Sequence, residues 1–160
     1  MTKECLICNR IDQIQEDTNP YFVAELGTGY VVLGDFQHFH GYTLFLFKQH
    51  VPELHHLEQQ LKLRFLEEMS LVAEAVFKSF NPLKLNYELL GNSEPHLHWH
   101  LFPRHREDTM LGKPVWLVDK SIRYAETARP DKDQLHIMKL QLLESLEATA
   151  PDIIINRYHQ

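Results

Sequence analysis

The chain has little that would tie it to a membrane, to nucleic acid or to an oxidising compartment. No apolar run in its 160 residues is long enough to cross a bilayer, which takes about 20 consecutive apolar residues. The first residues, Met1-Thr2-Lys3-Glu4-Cys5, show no signal-peptide core. Positive charge is in deficit. The 16 Lys and Arg stand against 22 Asp and Glu, a formal net charge of -6, so no overall basic field awaits nucleic acid. Any phosphate-bearing ligand must be held by local groups. Cysteine is scarce, and the only two, Cys5 and Cys8, lie three positions apart. That is a poor disulfide framework and suits a reducing compartment, so the expected location is cytoplasmic. Internal repeats and low-complexity segments are missing. What remains is 44% hydrophobic and 24% charged, ordinary for a soluble globular protein. The length fits one domain with a real core, or a domain plus a short extension.

Histidine, by contrast, is present and ordered. In Pro95-His96-Leu97-His98-Trp99-His100-Leu101-Phe102-Pro103-Arg104, histidines alternate with large apolar residues. Successive side chains of a strand point to opposite faces. His96, His98 and His100 are thus expected on one face, roughly 6.6 Å apart, with Leu97, Trp99 and Leu101 on the other. Pro95 and Pro103 are expected to bracket the strand. Alternation alone describes any half-buried strand, and one histidine in it would be a surface residue. Three in register are harder to dismiss. Imidazole is the side chain best suited to proton transfer, metal ligation or nucleophilic attack near neutral pH.

Around this stretch the chain reads as a succession of strands, helices and loops. Cys5-Leu6-Ile7-Cys8 is half a zinc site, a redox pair or an accident. A redox pair wants a preceding strand, for which there is no room. Zinc needs two more ligands, which the histidines offer. Tyr21–Leu26 and Tyr30–Leu33, joined by Gly27-Thr28-Gly29, read as a hairpin. Asp35–His40 is a loop leading into a strand over Gly41–His50. Leu54, Leu57, Leu61, Phe65, Met69, Val72, Val76 and Phe80 recur at helical spacing, predicting a long helix over Pro52–Phe80 that Asn81-Pro82 ends. His55 and His56, near its start, read as an exposed helical surface. Leu83–Leu90 alternates as the partner of the histidine strand. The connecting Gly91-Asn92-Ser93-Glu94 is either an ordinary hairpin loop or a phosphate cradle of backbone N–H groups and short side chains. Arg104-His105-Arg106 would meet distal phosphates or simply be solvated. Pro114-Val115-Trp116 reads as a lid or dimer element. Asp131–Leu146 is a second amphipathic helix, and Ile153-Ile154-Ile155 a patch for packing or a subunit contact.

His96-Leu97-His98-Trp99-His100-Leu101-Phe102 resembles the signature of the histidine triad (HIT) family, His-φ-His-φ-His-φ-φ with φ apolar. A second landmark, Gly-His-Thr-Leu followed by a strand ending Lys-x-His, is matched by Gly41, Thr43, Leu44, Lys48 and His50; Tyr42 departs from it, standing where many members have histidine. The resemblance runs from Cys5 to about Arg104. It implies an α+β, HIT-like fold with an antiparallel sheet of about five strands, one long helix and a C-terminal helix, residues 1–110 forming the HIT domain and 111–160 an extension packed on it. It further implies homodimers whose sheets become continuous. Many microbial members begin with a cysteine pair that binds zinc together with a histidine after the third strand and the first triad histidine, here Cys5, Cys8, His50 and His96. The loop aspartate of the family holds ribose hydroxyls while its apolar neighbours sandwich the base, making Asp35 and Phe36 the candidates; Asp35 equally suits the cap of a turn. Asn92 and Ser93 match phosphate-binding positions, and Asn86 resembles a family asparagine further upstream.

Two chemistries fit the histidines. In one, a neutral imidazole attacks an α-phosphate and water cleaves the resulting phosphoramidate. The resemblance assigns the nucleophile to His98 and a leaving-group role to His100. In the other, two of the histidines hold a catalytic metal that activates water. The Gly-Asn-Ser loop and the Gly-x-Thr-Leu strand argue for the first. The C-terminal features Phe-Pro-Arg and Pro-x-Trp resemble those of bacterial diadenosine polyphosphate hydrolases, for which diadenosine tetraphosphate would give AMP and ATP. Adenosine phosphoramidates, or nucleotide binding with little turnover, are the alternatives. The implied partners are a purine nucleotide or dinucleoside polyphosphate and a second copy of the chain, with zinc as a structural ion and no organic cofactor.

Overall fold

A computed structural model describes residues 5–159. Met1–Glu4, read above for a leader, and Gln160 at the tail lie outside the described residues. Helix α1 (Leu6–Gln15) is followed by strands β1 (Phe22–Glu25), β2 (Gly29–Leu33) and β3 (Thr43–Phe47), then helix α2 (Gln59–Phe80). Strands β4 (Lys84–Glu88) and β5 (His98–Arg104) come next. A short helix α3 (Lys120–Arg123), helix α4 (Lys132–Thr149) and a two-residue strand β6 (Asn156–Arg157) complete the chain. The six strands form one sheet in the order β4-β5-β3-β2-β1-β6. Every neighbouring pair is antiparallel. The fold is thus α+β, with β6 added to the five strands that the resemblance implied.

Register decides which residues share a face. His98 pairs with Leu46 and His100 with Leu44, while Trp99 pairs with Phe45 and Leu101 with Thr43. Directly opposed residues lie on the same side of a sheet. One face therefore carries Phe45, Phe47, Val31, Leu33 and Leu101, and α2 and α4 cover it with Phe65, Val72, Val76, Leu142 and Leu146. Each such side chain contributes roughly 1.5–3 kcal/mol by leaving water. The opposite face is covered over Tyr30, Val32 and Leu46 by Ile7, Ile11 and Ile14 of α1. The β4–β5 end of that face is left to the histidines.

Several expectations need correction. The long helix starts at Gln59 rather than near Pro52. Leu54–His56 form a single 3-10 turn, and the Glu58 carboxylate caps α2 by accepting the N–H groups of Gln60 and Leu61. Leu57 kept the apolar spacing intact because it is buried from an extended segment, not from a helix. His55 and His56 are exposed, as read, but on that turn. Pro103 lies inside β5, paired with Leu85. It is tolerated because β3 pairs with β5 only as far as Leu101, so its missing N–H removes no bond from that ladder. His96 precedes β5 instead of joining it. Helix α1 went unread, although Ile7, Ile11 and Ile14 have helical spacing. Ile153 and Ile154 pack against the core, whereas Ile155 is 62% exposed. Among the described residues, no helix is long and apolar enough to cross a membrane.

Candidate functional site

Chain entry and sheet ends bring four ligand-type side chains together. Cys5 caps α1 and Cys8 lies on its first turn, His50 follows β3, and His96 precedes β5. Their ligand atoms all lie within 4.8 Å of one another. His96 Nε2–H donates to the Phe47 carbonyl at 2.8 Å, which leaves the lone pair on Nδ1. That nitrogen is 3.5 Å from both Cys5 Sγ and Cys8 Sγ. His50 Nδ1 is 3.4 Å from Cys8 Sγ. A tetrahedral zinc with ordinary Zn–S and Zn–N bonds separates sulfur from nitrogen by about 3.6 Å. The donor set and its spacing therefore fit zinc. Burial, followed by the hydrogen bond and charge of Cys5, pushes the Cys8 thiol up to about 11; a bound cation would reverse this and favour thiolate.

The next two histidines are oriented differently. His98 Nδ1–H donates to the His96 carbonyl at 2.6 Å, so its Nε2 carries the lone pair. The backbone of His96 thereby sets the tautomer of His98. His100 Nδ1 lies 2.6 Å from the Tyr42 hydroxyl. The His98 and His100 rings lean together, centroids 4.6 Å apart. Burial lowers the basicity of both, His100 to about 3, with the charge of His98 a second cause there. Both are neutral imidazoles near pH 7.

The expected substrate-binding residues are distributed around this pair. Asp35 accepts a hydrogen bond from Arg10 Nη2 of α1 at 2.6 Å. Phe36 meets the edge of Tyr124 at 5.5 Å, with the Arg129 guanidinium 4.3 Å from its ring centre. Asn92 and Ser93 are exposed on the loop before the triad, where Gly91 adopts φ 81° and Glu94 accepts the Leu6 N–H at 3.0 Å. Pro52, Leu89, Gly91 and His98 help line a small cavity of about 50 Å³ there. Asn86 shares the His100 face, and its Oδ1 accepts from Arg104 Nη1 at 3.2 Å.

Arg104 itself is neither solvated nor available to a phosphate. It is 2% exposed and donates to Asp108, Asn86 and the carbonyls of Lys113 and Met110, above the ring of Phe39. Val115 packs with Phe39, Phe102 and Val118, which leaves Trp116 half exposed. A wider cleft of about 380 Å³ lies past the far end of β5, lined by His38, His40, His105, Glu107, Asp108 and Thr109. Arg10 was missed by sequence reading, since a lone arginine on the polar side of a short helix carries no signal. Tyr42 was noticed as a departure, but its contact with His100 needed the sheet.

The HIT domain family model matches residues 19–107. Among solved structures, a histidine triad protein from Marinobacter aquaeolei is 24% identical with a TM-score of 0.68, covering 84% of this chain and 96% of its own. A hypothetical histidine triad nucleotide-binding protein from Sulfolobus tokodaii is 18% identical with a TM-score of 0.68, covering 95% and 100%. A Zn-bound histidine triad family protein from Mycobacterium smegmatis is 16% identical with a TM-score of 0.63, covering 91% and 94%. None of the curated proteins matches the chain.

Proposed function

The chain belongs to the HIT domain family, and from that premise we propose that it is a nucleotide hydrolase or transferase working through a covalent nucleotidyl-His98 intermediate. The observation that carries this reading is the 2.6 Å bond from His98 Nδ1–H to the His96 carbonyl, which leaves a bare Nε2 to attack. Attack forms the Nε2–P bond and breaks the bond from the α-phosphorus to the leaving polyphosphate. The imidazolium so formed is stabilised through Nδ1–H by the same carbonyl. Water then attacks phosphorus, the P–N bond breaks, and His98 returns neutral as a proton passes to solvent. His100 faces the leaving oxygen. Backbone N–H groups of the 91–94 loop, with Asn92 and Ser93, hold the reacting phosphate.

Asp35, oriented by Arg10, accepts the ribose hydroxyl hydrogens, and Phe36 packs on the base. Asn86 contributes its amide Nδ2, its Oδ1 being engaged by Arg104. Cys5, Cys8, His50 and His96 hold one structural zinc. Its role is to tether α1 to the start of β5, because four protein ligands leave no open position for chemistry. Residues 1–110 form the catalytic domain and 111–160 its extension. The protein works in the cytoplasm as a homodimer, joined through the outer edge of β4, where Leu83, Tyr87 and Leu90 are about half exposed.

Diadenosine polyphosphates are the proposed substrates. Wild type is expected to convert diadenosine tetraphosphate to AMP and ATP, with His98→Ala inactive and folded. Turnover retained by His98→Ala would overturn the nucleophile. No cleavage by wild type would overturn the diadenosine substrate and turn the search to phosphoramidates or to binding without turnover.

A further inference from the structure

Tyr42 is held through its ring, its backbone and its hydroxyl. Its ring stacks on Phe102 with centroids 4.1 Å apart and planes 8° apart. Its other flank is open only because residue 34 is glycine, where a Cβ would lie 2.1 Å from Tyr42 Cδ1. Its N–H donates to the Phe39 carbonyl at 2.9 Å. Its carbonyl accepts the Gly34 N–H at 2.8 Å and a Gln37 Nε2–H at 3.0 Å. Among the described residues, the hydroxyl of this partly buried ring has one hydrogen-bond partner, His100 Nδ1.

A phenol can donate or accept, and here the shortage of partners decides. If His100 Nδ1–H donated, the phenol hydrogen would be left without an acceptor among the described residues, which costs free energy. The phenol therefore donates, Nδ1 accepts, and the proton of the neutral imidazole sits on Nε2. His98 Nε2 then carries a lone pair and His100 Nε2 an N–H.

We propose that Tyr42 sets the substrate class of the site: by holding His100 as the Nε2–H tautomer it makes His100 a hydrogen-bond donor and not a proton source, so phosphoric anhydrides are cleaved in preference to phosphoramidates. This rests on His98 being the nucleophile. In an anhydride, the electron pair of the broken P–O bond stays on a phosphate oxygen. That oxygen leaves as a stable anion and needs only the hydrogen bond from His100. In a phosphoramidate the pair of the broken P–N bond falls on nitrogen, which must gain a proton as it leaves. His100 can give up its Nε2 proton only if Tyr42 passes its own to Nδ1, which leaves a partly buried phenolate. Burial first, then the neighbouring Tyr124, Asp35 and Glu88, push the Tyr42 phenol above its ordinary range, against a smaller opposing effect of Arg10, so that relay is closed. Tyr42 is a positioning residue, acting through His100.

Two measurements test this independently. Nitrogen NMR of histidine-labelled protein, with His100 assigned by comparison with His100→Asn, reads the tautomer without any activity. Wild type should show a protonated Nε2 and a bare Nδ1, and Tyr42→Phe, which keeps the stacked ring, should lose that assignment. A protonated Nδ1 in wild type would overturn the role of Tyr42. In parallel, kcat/KM is measured for diadenosine tetraphosphate and for an alkylamine phosphoramidate of AMP. Tyr42→His supplies a base able to carry the missing proton, and should shift the ratio toward the phosphoramidate by about tenfold or more, within the range of general acid catalysis. An unchanged ratio would overturn the substrate-class statement. Failure of wild type to cleave either compound would overturn it together with the proposed function, and the NMR result would still decide whether Tyr42 sets the tautomer.

Discussion

Single side chains in this protein are governed by what burial does to their protons and charges. His100 is the clearest case. Its folded-state value lies near 3, below the ordinary 6.5, because burial penalises the imidazolium. The unfolded chain therefore binds the extra proton between those values, and stability rises with pH across that window. Acidification from about pH 7 to about pH 4 should lower the unfolding midpoint, and His100→Asn should flatten the dependence. An equally steep dependence in the variant would remove His100 as its cause. Arg104 illustrates the opposite situation, a buried charge fully partnered. Arg104→Ala would strand Asp108 and two carbonyls, and should cost about 3–5 kcal/mol in denaturant unfolding. Arg104→Lys should recover only part of this, since an ammonium cannot reproduce the planar fork. A change below about 1 kcal/mol for Arg104→Ala would show that water readily replaces the guanidinium.

At the scale of elements, α1 depends most on its surroundings. Its 10 residues are fewer than the roughly 12–15 that an isolated helix needs to persist in water. It is held by three isoleucines against the sheet, by Cys5 and Cys8 at one end, and by the Arg10–Asp35 ion pair further along. One zinc per chain is expected from elemental analysis of freshly purified protein. Chelation, or Cys8→Ala, should raise amide hydrogen exchange in α1 well before it does so in α2, whose packing against α4 involves no metal ligand. Uniform exchange in both states would separate α1 from the proposed zinc. The Leu6 N–H to Glu94 bond joins the 91–94 loop, proposed to hold phosphate, to the same helix start. Metal loss should therefore weaken nucleotide binding as well as loosen the helix.

For the whole molecule, the open question is the sheet edge. Strand β4 has β5 on one side and no protein neighbour among the described residues on the other. An uncovered strand edge invites pairing with another chain. If two copies join there, sedimentation should give a mass twice the 18.9 kDa of the chain. Combined Leu83→Glu and Tyr87→Glu should yield a monomer that retains its circular dichroism. A dimer surviving both substitutions would move the interface elsewhere. The other edge, β6, is formed where the Ile155 N–H bonds the Glu25 carbonyl, so the tail closes the sheet next to β1.

Much of this is legible in the amino-acid sequence. Alternation in the triad stretch and in Leu83–Leu90 announced neighbouring strands, and the three-and-four spacing of Phe65, Met69, Val72, Val76 and Phe80 announced α2. These patterns are readable because strand and helix periods are properties of the local backbone, and they appear wherever one face of an element is buried. The family landmarks were legible for the same reason, being short and contiguous. What the chain alone could not decide depends on residues far apart in sequence. Cys8 and His96 meet across 88 positions, Tyr42 and His100 across 58, and Arg10 and Asp35 across 25. The same holds for Arg104, whose three-residue basic run looked like a surface until the segment up to Lys113 folded over it. Local periodicity determined which elements form and which way they face. Only tertiary packing decided which proton sits on which nitrogen, because burial and hydrogen-bond partners are supplied by the rest of the fold.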